Sequence, residues 1–182
     1  GSACSPEPGK GIEREMSIGS EEFRDALRHF PSGVTIVTMI DPESGNPHGL
    51  TVSAFASVSP QPPLILVGID HRASAYQILE QEGAVFAVNI LAHDQVEQSN
   101  RFAWVKDEDR FAGGNWGTAV TGAPILNDAL TWLDCTVYAR HQAGTHTIYI
   151  GEVQASAVPR ADEQPLIYWN RGYRSLHHHD LD

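Results

Sequence analysis

A small antiparallel β-barrel flanked by a few helices is the fold class that this sequence predicts. Three observations lead there. Six or more short runs are rich in β-branched residues or alternate apolar with polar ones, whereas only a few segments space their apolar residues as a helix does. The turn cluster Asp41-Pro42-Glu43-Ser44-Gly45-Asn46-Pro47 sits between two such runs, so the chain returns as a neighbouring strand. The 182 residues contain no internal repeat and no linker, so a single core has to serve the whole chain.

Residues 1–19 read as a flexible lead-in, with Gly1-Ser2 a remnant of tag cleavage, and residues 20–176 as the folded domain. Ser20 is a candidate N-cap, and Glu21 and Glu22 follow in the first turn, where carboxylates suit the helix dipole. Phe23, Ala26, Leu27 and Phe30 fall on one helical face, and Pro31 ends the helix. Val34 to Ile40 is a strand, and residues 49–58 are its return. Residues 64–69 form another strand. Ser74 caps a short helix through Glu80, with Gly83 as its stop. Ala84 to Leu91 is a strand of the buried type, and Asp94 caps a helix running to about Val105. The segment 107–124, rich in Gly, Asp and Trp, reads as a long ordered loop. Leu133, Cys135, Val137 and Ala139 alternate with Asp134, Thr136, Tyr138 and Arg140, as in a half-buried strand. Thr147 to Val158 is a further strand with Gly151 as a bulge, residues 165–169 a last one, and 177–182 a His-rich tail.

Composition removes several function classes. A formal net charge of -11 argues against a broad nucleic-acid surface, which needs clustered Lys and Arg. No apolar run reaches the roughly 18 residues of a membrane span, and no signal-peptide core is evident, so a cytoplasmic protein is expected. Cys4 and Cys135 are too few for a disulfide framework and lack metal spacing. His177-His178-His179-Asp180 reads as a solvated tail rather than a metal site, and no metal is expected. The glycine fingerprint of dinucleotide folds, the phosphate-binding P-loop and the nucleophile elbow are all absent.

The most informative stretch is Gly49 to Pro63, which is small, hydroxyl-rich and nearly uncharged. Buried hydroxyls need partners, so Thr51, Ser53, Ser57 and Ser59 suit a cradle for a planar, phosphorylated ligand. An ordinary edge strand with a serine-rich face fits the same residues. Arg101 suits a phosphate or a carboxylate, or is a solvated helix residue. Trp104, Phe111 and Trp116 form an aromatic wall or plug a loop onto the core. His146 stands where a loop enters a strand, flanked by threonines, and is either functional or a surface histidine. Tyr173 and Arg174, after Gly172, either cover a ligand or end the fold.

Taken in order, these segments resemble the flavin reductase-like family. The matching residues are Phe23 to Leu27 through Phe30-Pro31-Ser32-Gly33-Val34-Thr35-Ile36-Val37-Thr38, then Gly49 to Pro63 with Leu64-Ile65-Leu66-Val67. They continue through Phe86 to Leu91 with Gln95, Ser99, Arg101 and Phe102, Asp109 to Gly113, Gly122 to Leu126, Leu133 to Cys135, His146 with Gly151-Glu152-Val153, and Pro165 to Tyr168. The likeness spans about residues 21–175, and the ordered set carries it rather than any one motif.

The resemblance implies a homodimeric FMN-binding split barrel, the small component of a two-component monooxygenase. NADH or NADPH would reduce FAD or FMN, and the reduced flavin would leave for the oxygenase. It also implies that Gly33, Val34 and Thr35 lie near the flavin. Thr51, Val52, Ser53 and Ala54 would line the ring edge, and Ser57, Val58 and Ser59 the ribityl-phosphate side. Asn89, Ile90, Ser99, Arg101 and Phe102 would complete that wall, with His146 and Tyr173 at the nicotinamide. The chain departs from the pattern twice. Ser53-Ala54 stands where many members have Asn-Ser, and Thr145 where many have an Asp before the histidine. Two other readings stay open: a reductase holding its flavin and acting on a corrinoid or a metal complex, and a flavin-binding protein without turnover. Arg72, Arg171 and Arg174 are the candidates for a 2′-phosphate contact.

Overall fold

The computed structural model describes residues 17–106 and 109–177. The lead-in through residue 16 and the tail beyond His177, including His178 and His179, lie outside the described residues. In chain order the elements are α1 (Ser20–Leu27), β1 (Ser32–Gly33), β2 (Thr35–Ile40), β3 (Pro47–Val52), β4 (Phe55–Pro60), β5 (Pro63–Asp70), α2 (Ser74–Leu79), β6 (Val85–Ile90) and α3 (Val96–Trp104). They continue with β7 (Trp116–Thr118), β8 (Pro124–Leu126), β9 (Thr131–Ala143), β10 (His146–Ala157), β11 (Ile167–Trp169) and β12 (Gly172–Arg174).

Seven strands form one antiparallel sheet in the order β3-β2-β6-β9-β10-β5-β4. Its two edge strands, β3 and β4, are separated in the chain only by Ser53-Ala54. A sheet whose opposite edges are joined by two residues has to curl on itself, which makes it a barrel left open along that seam. The seam is bridged below Ser53, where the Gly68 amide donates to the Ala54 carbonyl at 2.9 Å. Small residues permit this approach, since a Cβ on Gly68 would meet the Ala54 Cβ at 3.2 Å. Strands β1, β11 and β12 make a small second sheet, and β7 pairs with β8.

Inside the barrel, Val37, Met39, Val67, Phe86, Val88, Cys135 and Tyr149 are buried together, and α2 closes one end with Ile78 and Leu79. Leu91, Phe102, Leu126 and Leu166 form a second cluster under α3. Gly151 is the expected bulge: the register with β9 shifts between Ile150 and Gly151. A Cβ at residue 151 would fall 2.5 Å from Phe86 Cζ, so the close packing of β10 over the core requires glycine.

Several local expectations need correction. Ser20, Ser74 and Asp94 do not cap their helices; Gly19, Ala73 and Gln95 hold the N-cap positions, and none makes a side-chain cap bond. The Asp94 carboxylate instead takes a bidentate pair from Arg160, at 2.8 and 2.9 Å. The single strand expected over 49–58 is two, broken at Ser53-Ala54. The expected 107–124 loop contains β7 and runs into β8, and β12 follows β11 unanticipated. The alternation in β9 also fails at one point, because Asp134 and Cys135 are both buried. Asp134 points at the β7–β8 connection, accepting from the Val120 and Thr121 amides at 2.8 Å each and from the Thr121 hydroxyl.

Burial pushes the Cys135 thiol up to about 12 from an ordinary 9.0, with Asp134 adding to the effect. The unfolded chain therefore loses this proton first as pH rises past about 9. The thiol's contribution to stability is present below that pH and falls away toward pH 12, by about 1.4 kcal/mol per unit. Urea melts at pH 8, 9, 10 and 11 are expected to show little change up to about pH 9 and this slope above it, and Cys135→Ala to show a shallower one. Equal slopes in both proteins would contradict the assignment.

Candidate functional site

Four cavities adjoin one another around the seam, and Ser53 lines every one of them. One, about 320 Å³, lies between α3 and the β11–β12 hairpin; Thr51, Ser53 and Ser99 line it, with Trp104, Arg171 and Tyr173. Of two others, one runs under α1 toward Tyr168 and one lies between the Phe30–Gly33 segment and Thr35, Phe55 and Ile90. The fourth extends over Ala54, Phe55, Gly68 and Ile148. The trough thus exists because the barrel opens between β3 and β4. Its size and mixed lining are those of a small-molecule site.

Hydroxyl groups hold the first cavity's walls together. The Thr51 hydroxyl donates to the Ser99 carbonyl at 2.6 Å, tying β3 to α3. Ser99, fully buried, shares a 2.8 Å hydrogen bond with the Tyr173 hydroxyl, which donates to Asn100 Oδ1 at 2.8 Å. Thr35 donates to the Val52 carbonyl at 2.6 Å and braces the strand end just before Ser53. Ser53 itself is exposed, with its side chain on the trough. A cleft lined by hydroxyls and aromatics, with no carboxylate and with Arg24, Arg28 and Arg171 on its walls, fits an isoalloxazine ring with a ribityl-phosphate tail.

The structure sorts the sequence candidates. Gly33, Val34, Thr35, Thr51, Ser53, Ala54, Ile90, Ser99 and Tyr173 line the trough. Val52 points into the barrel core. Asn89 is fully buried and spent on structure: its amide donates to the Ile36 carbonyl and the Thr38 hydroxyl, and its oxygen accepts from the Leu126 amide. Phe102 packs with Phe111 and Trp116 in the second core cluster, ring centroids 5.1 and 5.4 Å away. Arg101 lies against Gly113 and within 3.9 Å of Glu97 rather than over the trough. Ser57, Val58 and Ser59 sit on edge strand β4 and line none of the four cavities.

His146 and Tyr173 are not neighbours in the same cavity. His146 begins β10, exposed, two residues before Ile148 on the same strand face, so it lies along the fourth cavity's line. Its cross-strand partner is Asp70. Asp70 holds Arg72 through both carboxylate oxygens, and these hydrogen bonds keep its carboxyl well below the usual range. Residues not anticipated at the trough include Leu27, Arg28, Phe30, Asn100, Ile148 and Tyr168. Their positions follow from the seam and the short β11–β12 hairpin, neither of which has a local signature. Among the described residues no group of three or more His, Cys, Asp or Glu is placed to hold a metal, and no helix is long and apolar enough to cross a membrane.

Comparison with known proteins gives the family. Residues 27–177 match the family model of the flavin reductase like domain. The actinorhodin polyketide dimerase of Streptomyces coelicolor is 40% identical over 88% of this chain and 89% of its own. The reductase subunit HsaB of a flavin-dependent monooxygenase from Rhodococcus jostii is 34% identical over 92% of this chain and 84% of its own. The structure of the NADH:FAD oxidoreductase SgcE6 of Streptomyces globisporus, in complex with NAD and FAD fragments, superposes with a TM-score of 0.79 at 30% identity, covering 89% of this chain and 94% of that one. With its barrel seam, its hydroxyl-lined trough and a family match over nearly the whole described chain, this protein belongs to the flavin reductase-like family.

Proposed function

We propose that this chain is an NAD(P)H:flavin oxidoreductase that supplies reduced flavin to a separate monooxygenase. The observation that carries the reading is the trough centred on Ser53, open to solvent and free of an acid–base dyad. Flavin supplies the redox chemistry when bound, accepting a hydride from the nicotinamide. The protein's task is then to hold two rings in register and to keep water from between them. Thr51, Ser53 and Ala54 present backbone and hydroxyls along the flavin edge, with Thr35 bracing the strand end behind them. The open trough suits a flavin that comes and goes as a substrate.

His146 is our candidate for the nicotinamide side. The carboxylate that many family members place just before this histidine is absent at Thr145, and the carboxylate of Asp70, its cross-strand partner, is engaged by Arg72. The polyketide-dimerising role in one relative's name stays with that relative, since nothing in this trough selects for it.

The test is the initial rate of NADH oxidation by flavin-stripped protein as FAD or FMN is titrated, with NADPH as a parallel run. We expect saturation at flavin concentrations far above that of the enzyme, and a raised KM for NADH in His146→Ala with flavin affinity unchanged. Completion at one flavin per subunit would point to a bound-flavin reductase with another acceptor, and no turnover to a binding protein.

The active form in this reading is a homodimer. The apolar face of α1 contributes no buried residue, and Phe23, Leu27 and Phe30 are 53, 49 and 71% exposed. A helix with one apolar face left in water is incompletely folded in energetic terms, and a second copy is the natural cover. Because Leu27 and Phe30 also line the trough, the dimer would complete the flavin cleft. Phe30→Glu is expected to convert dimers to monomers in sedimentation velocity and to weaken flavin binding. A wild-type protein that sediments as a monomer at micromolar concentration contradicts the dimer.

A further inference from the structure

The cavity between α3 and the β11–β12 hairpin carries an asymmetry of charge. Acidic residues outnumber basic ones 23 to 12 in this chain, yet no Asp or Glu lines this cavity. Its one charged residue is Arg171, which also reaches the adjoining cavity under α1. Arg171 makes no hydrogen bond or ion pair among the described residues, whereas its neighbour Arg174 is engaged with the Tyr173 carbonyl and stands 5.7 Å over the Trp169 ring. The backbone at Arg171 is left-handed, φ 62°, in a tight turn whose other central residue, Asn170, has φ 48°. Glycine is favoured at such a position, and an arginine there costs roughly 1 kcal/mol. An unpaired cation kept at that cost, at the mouth of a neutral cavity, suits a phosphate.

On the same cavity stands Trp104, the last residue of α3, 77% exposed. The other aromatic residues of that region, Phe102, Phe111 and Trp116, pack on one another. Among the described residues Trp104 makes no such ring contact, which leaves its face for a ligand. A free indole beside an unpaired guanidinium, at the outer end of a hydroxyl-lined cleft, has the chemistry of a purine nucleotide site.

We infer that Trp104 and Arg171 form an adenylate subsite, with Trp104 stacking the adenine and Arg171 meeting the phosphate. This rests on the flavin reading above. An adenosine phosphate is common to FAD and to NAD(P)H. FAD is the source that continues outward from Ser53 and Thr51 along this cavity, so Trp104 favours FAD over FMN.

The test is equilibrium binding of FAD, FMN and NADH, each alone, to flavin-stripped full-length protein. Titration calorimetry on wild type, Trp104→Ala, Trp104→Phe and Arg171→Ala needs no turnover. Base stacking on an aromatic ring predicts that Trp104→Ala weakens FAD by about tenfold and FMN by less than about twofold, with most of the loss restored in Trp104→Phe. Arg171→Ala is expected to weaken both flavins. If Trp104→Ala weakens NADH alone, the subsite stands and belongs to the nicotinamide dinucleotide. Equal effects of Trp104→Ala on FAD and FMN, or none on FAD or NADH, overturn the inference. A wild type that binds neither flavin would instead sink the flavin reading itself. Because Trp104 is exposed, loss of folding is not expected, and Trp104→Phe keeps the test decisive if the alanine variant is poorly behaved.

Discussion

Asp134→Ala is expected to destabilise the fold by about 3 kcal/mol and to lower the melting temperature by roughly 6–12 °C. The carboxylate is fully buried and accepts three hydrogen bonds from the 120–121 segment. Removing it leaves two amides and a hydroxyl with no acceptor. Bonds to a carboxylate are each worth more than neutral ones, and their donors carry a desolvation cost once orphaned. The damage would spread, because this segment leads into β8. There Ala123 and Ile125 pack on Ala87, and the Thr38 hydroxyl donates to the Pro124 carbonyl at 2.5 Å. Against a typical total stability of about 5–15 kcal/mol, the loss is large. Asp134→Asn keeps one acceptor oxygen but turns an NH2 toward donors, so an intermediate loss is expected. Paired thermal and urea melts check this, and an alanine variant within about 0.5 kcal/mol of wild type would mean that the 120–121 segment is held by other contacts.

What could be read from the chain follows from the range of each interaction. The strands were legible because β-branched runs such as Leu64 to Ile69 and Val85 to Ile90 report burial through their own residues. The break at Ser53-Ala54 was not, since Val52 and Phe55 on either side read as one continuing strand. Nothing local says that the sheet curls until its edges meet there. Asp134 alternates into a solvent position by periodicity and is buried because a loop closes over it, a tertiary event. By composition the hydroxyls of Thr51 and Ser53 call for partners or a ligand; Thr51 finds its partner in Ser99, 48 residues away, which no local pattern announces. Ser57 and Ser59 share the same sequence texture, yet the seam turns them onto the outer edge. The pairing of Asp70 with His146 depends on the β5–β10 register, which a sequence pattern with period two does not specify in absolute terms. The apolar face of α1 was plain from its spacing, and what covers it was not.

Ser53→Phe is expected to weaken flavin binding by roughly 10- to 100-fold and NADH oxidation in proportion, with little change in melting temperature. Its side chain is exposed and lines all four cavities at the seam, so a benzyl group there projects into the trough rather than into the core. Overfilling a packed site costs about 1–3 kcal/mol, and each 1.4 kcal/mol is tenfold in affinity. A surface substitution of this kind shifts stability by about 0.5 kcal/mol or less, so circular dichroism and thermal melts separate blocked binding from lost folding. Ser57→Phe is the companion variant, because family likeness assigns Ser57 to the ribityl-phosphate while the sheet places it on β4 outside the trough. Equal losses in the two variants would extend the flavin site onto β4. A loss in Ser57→Phe alone would move the flavin away from Ser53 and overturn the assignment. A loss confined to Ser53→Phe would tie flavin binding to the seam, where β3 gives way to β4 and the four cavities meet at Ser53.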